Sequence, residues 1–288
     1  MNYFYKYLNK MHNIFLSLAL LLTSISLNAQ KIKLPQTSPH QEVIQNFGLG
    51  TIALSYSRPS LRGRSIGEDF VPYGEVWRTG ANGATTLEFS EDVTIGGKLI
   101  MAGKYGLLSI PNEKEWIVII TTDINVNNPS KYNEANDVVR VSIPVQKRIE
   151  KMETFTINFD TFTSTSCIMQ LTWEHSLIEV ELFTDIDKTV MSQIEAAFDQ
   201  KNLPYYAAAQ YYYDTNRDLQ QAKQWVDKAT DESLGEERLH IWLLKAQIYQ
   251  KLGDKKGTKV TAAKIIQLSE KLKNDEYKQK ATSILNTL

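Results

Sequence analysis

The sequence predicts two segments of different class. Residues 30–187 read as an antiparallel β-sandwich or jelly-roll-like domain, and residues 188–288 as an all-α domain of helical hairpins. Three observations carry this reading. Between Glu42 and Thr184 apolar side chains recur at every second position, the period of a strand. After Asp187 they recur at helical spacing. Residues 1–29 hold neither Asp nor Glu, and Lys6 and Lys10 precede the apolar run Ile14 to Leu22, so this stretch stands apart from both domains.

The N-terminal layout is that of a secretory signal peptide: a basic start, a short apolar stretch, and small residues before a cut after Ala29. The nine-residue run from Ile14 to Leu22, with Ser17 within it, is too short to cross a membrane, which takes roughly 20. Cleavage leaves a mature chain that begins at Gln30, has no membrane span and is exported to the periplasm or the extracellular space. Cys167 is the only cysteine, so no lipid anchor sits at the cut and no internal disulfide can form.

Within the β-segment, Gly48-Leu49-Gly50, Gly96-Gly97, Ala102-Gly103 and Pro111-Asn112 mark turns between short runs. A hairpin is expected around Lys98 to Ile110. The continuously apolar Trp116 to Ile120 suits a strand covered on both faces. Val139, Val141 and Ile143 alternate with Arg140 and Ser142, and Phe155, Ile157 and Phe159 with Thr154, Thr156 and Asn158. Cys167 shares its parity with Met169, Leu171 and Trp173, which makes it a buried structural thiol rather than a nucleophile. Ile178, Val180 and Leu182 close the pattern, giving about ten strands.

Six helices are expected between Thr189 and Leu288, with starts at Pro204, Asp218, Asp254 and Asp275. Ala209, Tyr212, Ala222 and Ala229 are matched at Ala246, Tyr249, Thr258 and Ile266, a weak internal repeat. Small residues where helices cross, with Tyr one turn on, give a hairpin array resembling tetratricopeptide repeats, and Lys245 to Asp254 resembles that family's first helix and turn. Such a pair can brace the β-domain or take a protein partner.

The charge balance is 32 basic against 33 acidic residues, net −1, which gives no footing for nucleic acid. The β-segment carries 14 basic and 20 acidic residues, the helical segment 16 and 13. His40, His175 and His240 lack metal-ligand spacing, and neither a Gly-x-Ser-x-Gly elbow nor a phosphate loop is present. No cofactor is expected. Asp123, Asn125, Asn127 and Glu134 follow calcium-loop spacing, but Asn128 stands where Gly is expected, so a polar inter-strand loop is the simpler reading. Asp185 and Asp187 read as a hinge and a helix cap.

The densest polar cluster runs from Tyr56 to Asn82. It holds Arg58, Arg62, Arg64 and Arg78 with Trp77 and Asn82, and Glu68, Asp69 and Glu75 are the acids within it. Arginine forks suit carboxylates, phosphates or carbonyls, and an open Trp offers a stacking face for a sugar. The candidate ligand-binding residues are therefore Arg58, Arg62, Arg64, Trp77, Arg78 and Asn82. The same residues equally make an Arg-Glu clasp that pins the loop to the sandwich.

Tyr56-Ser57-Arg58-Pro59-Ser60-Leu61-Arg62-Gly63-Arg64, followed by Val71 to Asn82, resembles the signature of the exported bacterial family known as domain of unknown function 2911. Ala102-Gly103-Lys104-Tyr105, Ile110-Pro111, Trp116, Asp137 to Arg140 and Trp173-Glu174 fit the same pattern, over residues 34 to 182. The resemblance implies export and a domain boundary but no activity. Three classes of function stay open: a non-catalytic binding module for a glycan or acidic small molecule, a protein-interaction scaffold working through the helical hairpins, and an enzyme using a carboxylate such as Glu68 or Glu75.

Overall fold

The structure is a computed structural model that describes Met11 and residues 34–68, 70–199, 204–231 and 238–288. The expected signal peptide, residues 1–29, lies outside the described residues apart from Met11, as does Asp69. Contacts separate Met1–Pro39 from His40–Leu288, and the second unit holds all the described strands.

Among the described residues ten strands follow in chain order: β1 His40–Phe47, β2 Gly50–Ser57, β3 Thr86–Phe89, β4 Val93–Ile95, β5 Lys98–Ile100, β6 Gly103–Pro111, β7 Glu115–Thr121, β8 Asp137–Pro144, β9 Gln146–Asp160 and β10 Ser166–Phe183. They form two antiparallel sheets of order β1-β2-β3-β6-β7-β8 and β5-β4-β10-β9. The inward residues of both sheets share one core. Leu54, Leu87, Leu107 and Val118 come from the larger sheet, and Ile95, Phe155, Leu171 and Val180 from the smaller. Side chains from two facing sheets meeting in one apolar layer make a β-sandwich.

The continuous apolar run of β7 has two cores to satisfy. Trp116, Val118 and Ile120 enter the main core, while Ile119 joins Leu108, Ile110 and Val126 on the opposite face. Cys167 is buried in the main core, and burial alone pushes its thiol up to about 11.

The expected Lys98 to Ile110 hairpin needs correcting. β5 pairs with β4 through the Gly96-Gly97 turn, where both residues have positive φ, as a tight two-residue hairpin requires. The chain then crosses at Met101-Ala102, and β6 enters the other sheet. Alternation reports which face a residue takes but not which sheet it joins.

The 18-residue β10 doubles back on itself. Its flanking residues Thr165 and Thr184 are joined by a 2.9 Å backbone bond, and Gln170 Nε2 donates to Glu179 Oε1 at 2.8 Å. The turn falls at Glu174, whose φ is +53°. The Cys167–Trp173 and Ile178–Leu182 runs are the two arms of this hairpin.

Six helices are described beyond the sheets: α1 Asp187–Asp199, α2 Tyr205–Asp214, α3 Leu219–Ala229, α4 Leu239–Lys251, α5 Lys255–Leu272 and α6 Asp275–Asn286. Asp218 caps α3 by accepting from the Gln220 and Gln221 amides, and Asp254 caps α5 by accepting from Gly257. At α6 the cap is Asn274 rather than Asp275, which is the first helical residue. The helices pack through two small cores, one around Ala209, Ala222 and Leu244, the other around Ala246, Ala262 and Ile265.

Candidate functional site

The Tyr56–Asn82 segment runs along two sheet edges. At its start it leaves β2 and lies against β9: Phe155 N–H donates to the Pro59 carbonyl at 2.9 Å and Leu61 N–H to the Glu153 carbonyl at 3.0 Å, with a Ser60–Thr154 bridge between them. Arg58 locks this crossing. Its Nε donates to the Phe155 carbonyl at 3.1 Å and its Nη2 to Thr156 Oγ1 at 2.6 Å. Arg64 turns back on its own loop, donating to the Leu61 carbonyl at 3.0 Å and lying 3.6 Å over the Phe70 ring. Arg62, at φ +52°, is exposed, and its backbone N–H donates to Glu153 Oε1 at 2.7 Å.

At its far end the segment fills the edge of β6 beyond the reach of β3. Trp77 and Ser109 exchange backbone bonds of 2.7 and 2.9 Å, Gly74 N–H donates to Pro111, and Leu107 N–H to Thr85. Trp77 is buried, 8% exposed. Its ring is stacked on Trp173 at 5.1 Å, edges against Phe155 and Trp116, and donates from Nε1 to the Gly80 carbonyl at 3.0 Å. The expectation of an open stacking face at Trp77 is therefore corrected: that face belongs to the core. Thr79, fully buried at φ +51°, holds the sharp bend after it, with its Oγ1 donating to Ser109 Oγ at 2.9 Å. A β-branched residue in that conformation is strained by about 1–3 kcal/mol, and the surrounding bonds hold it there. Arg78 donates to the Asn127 carbonyl, tying the segment to the loop that carries Asp123.

The six sequence candidates thus do not line one mouth. Arg58 joins β9, Arg64 its own loop and Arg78 the β7–β8 loop, while Trp77 fills the core and Arg62 and Asn82 lie on the outer surface. The partners of the arginines are mainly carbonyl oxygens rather than Glu68 or Glu75. In the Asp123 loop, Val126 is buried, Asp123 accepts from the Asn125 amide, and Glu134 lies 3.8 Å from Arg140. Among the described residues no group of three or more His, Cys, Asp or Glu side chains is placed to hold a metal.

Residues 38–182 match the family model described as a protein of unknown function, DUF2911. The chain belongs to this family. The match covers the sandwich and includes the whole Tyr56–Asn82 segment, whose Arg58, Arg64, Trp77 and Arg78 are, in this DUF2911 member, parts of the fold's own closure. No curated protein and no solved structure matches the chain.

A second region was not singled out as a site by the sequence. Between α4 and α5 lies a groove of about 480 Å³ floored by Trp242 and Tyr249 and edged by Lys245, Lys256 and Lys264, with Val260 65% exposed beside them. Gly257 is required there, because a Cβ would meet the Tyr249 ring at 2.0 Å. Behind the groove, Asp227 accepts from Lys223 at 2.8 Å and from Tyr249 Oη at 2.7 Å, with Lys245 at 3.0 Å. Burial pushes the Asp227 carboxyl up, but the bonds from Lys223, Tyr249 and Lys245 outweigh it and hold it below its ordinary 3.8. Among the described lining residues the one acid, Asp254, is committed to its helix cap. The signal was present in the sequence as Lys245 to Asp254, but the helical period alone does not say which residues face a groove.

Proposed function

We propose that this DUF2911 protein acts by binding, as an exported interaction scaffold in the periplasm or outside the cell. The sandwich is the platform, and the tetratricopeptide-like helical half takes the partner. One observation carries this reading: the α4–α5 groove combines an aromatic floor with Lys256 and Lys264 at its edge, and among the described lining residues its single acid is committed to a helix cap. That chemistry fits a short acidic segment of a partner protein, with apolar side chains against Trp242 and Val260 and carboxylates against Lys256 and Lys264. The alternative, a glycan or small acid held by the Tyr56–Asn82 segment, would need Trp77 to leave the core.

Calorimetric titration of the mature chain with a peptide alternating Glu and Leu tests the reading. Binding should fall with rising salt and vanish in the Lys256→Glu, Lys264→Glu double variant, whose melting temperature stays close to that of the parent. A double variant that binds as tightly as the parent would remove the groove from the function.

A further inference from the structure

The Tyr56–Asn82 segment covers the free edges of β9 and β6, and a stretch of β10 that no such segment covers is informative beside them. The outer side of the returning arm of β10 is paired at both ends only. Ser176 and Leu177 pair with Lys147 and Gln146 of β9, and Leu182 and Phe183 pair with Ile95 and Thr94 of β4. Between these two neighbours, residues 178–181 have no strand on that side among the described residues. Four residues of extended chain span about 13 Å.

The orientation of the backbone in this gap follows from the hairpin. Thr184 N–H points inward to the Thr165 carbonyl. Successive residues of an antiparallel strand direct their N–H and C=O groups to alternate sides. Leu182, Val180 and Ile178 therefore face the other arm, and Glu179 and Glu181 turn their backbone groups into the gap. A free row of donors and acceptors of this kind is a template for another strand.

The gap is also a cavity, of about 370 Å³. It is closed at one end by Gln146 and at the other by the Gly96-Gly97 turn, and Val141 and Ile143 of β8 form its apolar wall. Its two charged lining groups are Glu179 and Glu181, and no basic residue lines it. The Glu179 carboxylate is oriented by two amides, accepting from Gln170 Nε2 at 2.8 Å and from Gln146 Nε2 at 2.7 Å. Carboxylates on the open face and apolar side chains beneath define the occupant by charge and period.

We propose that the slot between Gln146 and Gly96 accepts one added β-strand, an extended segment of a partner protein in which basic and apolar residues alternate. Its backbone completes the ladder with Glu179 and Glu181. Its apolar side chains rest on Val141 and Ile143, and its basic side chains lie beside the two carboxylates. This site is separate from the α4–α5 groove and selects the opposite charge, so each stands or falls by itself.

The test uses the mature chain and a capped six-residue peptide alternating Lys and Val, followed by fluorescence anisotropy and by amide hydrogen exchange. Binding should be accompanied by slowed exchange of the Glu179 and Glu181 amides. The same peptide N-methylated at alternate residues keeps its side chains but loses the edge-facing N–H groups, and it should bind at least about tenfold more weakly. Glu181→Lys, at an exposed position, should weaken the unmodified peptide by about tenfold without changing the melting temperature. Equal binding of both peptides would overturn the proposal, because attraction to the carboxylates alone would then suffice. Absence of binding, or binding with no protection at Glu179 and Glu181, would overturn it as well.

Discussion

The Tyr56–Asn82 segment and the helices use their cations in different ways. In that segment three arginines reach backbone carbonyls: Arg58 to Phe155, Arg64 to Leu61 and Arg78 to Asn127. In the helices several lysines reach carboxylates: Lys223 and Lys245 to Asp227, Lys278 to Glu270 at 2.8 Å and Lys280 to Glu276 at 2.6 Å. The difference follows from what each architecture leaves unsatisfied. A helix bonds its own interior backbone groups, so its surface cations are left to pair with side chains one turn away or on the next helix. A sheet leaves backbone groups open wherever a strand ends before its neighbour. The planar arginine fork can satisfy an edge carbonyl and a side chain together, which a single ammonium does less well.

Three changes break or sharpen this contrast. The largest effect belongs to Trp77→Ala, which removes a ring packed among Trp173, Phe155 and Trp116. Urea unfolding should show a loss of about 3–5 kcal/mol, the range for a buried aromatic truncated to Ala. A loss below about 1 kcal/mol, the level of an exposed position, would mean that the segment is not part of the core and the contrast fails at its centre.

Arg58→Ala comes next. It strands the Phe155 carbonyl at the β2–β9 crossing, at a cost of about 1–3 kcal/mol. Arg58→Lys should recover only part of that, since the ammonium cannot reproduce the Nε and Nη2 pair of bonds. Full recovery by Lys would show that charge, not fork geometry, matters at the edge.

The smallest effect is expected at Asp227, where the ion pairs are partly exposed and screened. Asp227→Asn should cost about 1 kcal/mol at neutral pH. The carboxyl is held below its ordinary 3.8 in the folded protein, so its contribution is complete above that value and is lost as the pH falls through the lower folded value. Melts of parent and variant should accordingly converge below about pH 4. A gap that persists or widens on acidification would assign the loss to packing instead.

The elements themselves were legible. Period-two runs gave both arms of the β10 hairpin and the burial of Cys167, and the doubly covered β7 was announced by Trp116 to Ile120. Pro204, Asp218 and Asp254 marked helix starts, because capping chemistry is local. The DUF2911 signature was legible too, and so was the polar density of Tyr56 to Asn82. Its role was not. The same arginines suit a bound anion and an edge carbonyl, and nothing within 21 residues distinguishes the two acceptors.

By itself, then, the sequence determined the class and order of the elements, the faces that turn inward, and the segment in which the unusual residues collect. Each of these depends on neighbours within a turn or a strand. The tertiary structure alone decided what those residues meet: Phe155 stands 97 positions beyond Arg58, and the ring stacked on Trp77 comes from the tip of the β10 hairpin. It also decided which strand edges are covered and which stay open. An edge is defined by where two chain segments stop relative to each other in space, and side-chain periodicity holds no record of that distance.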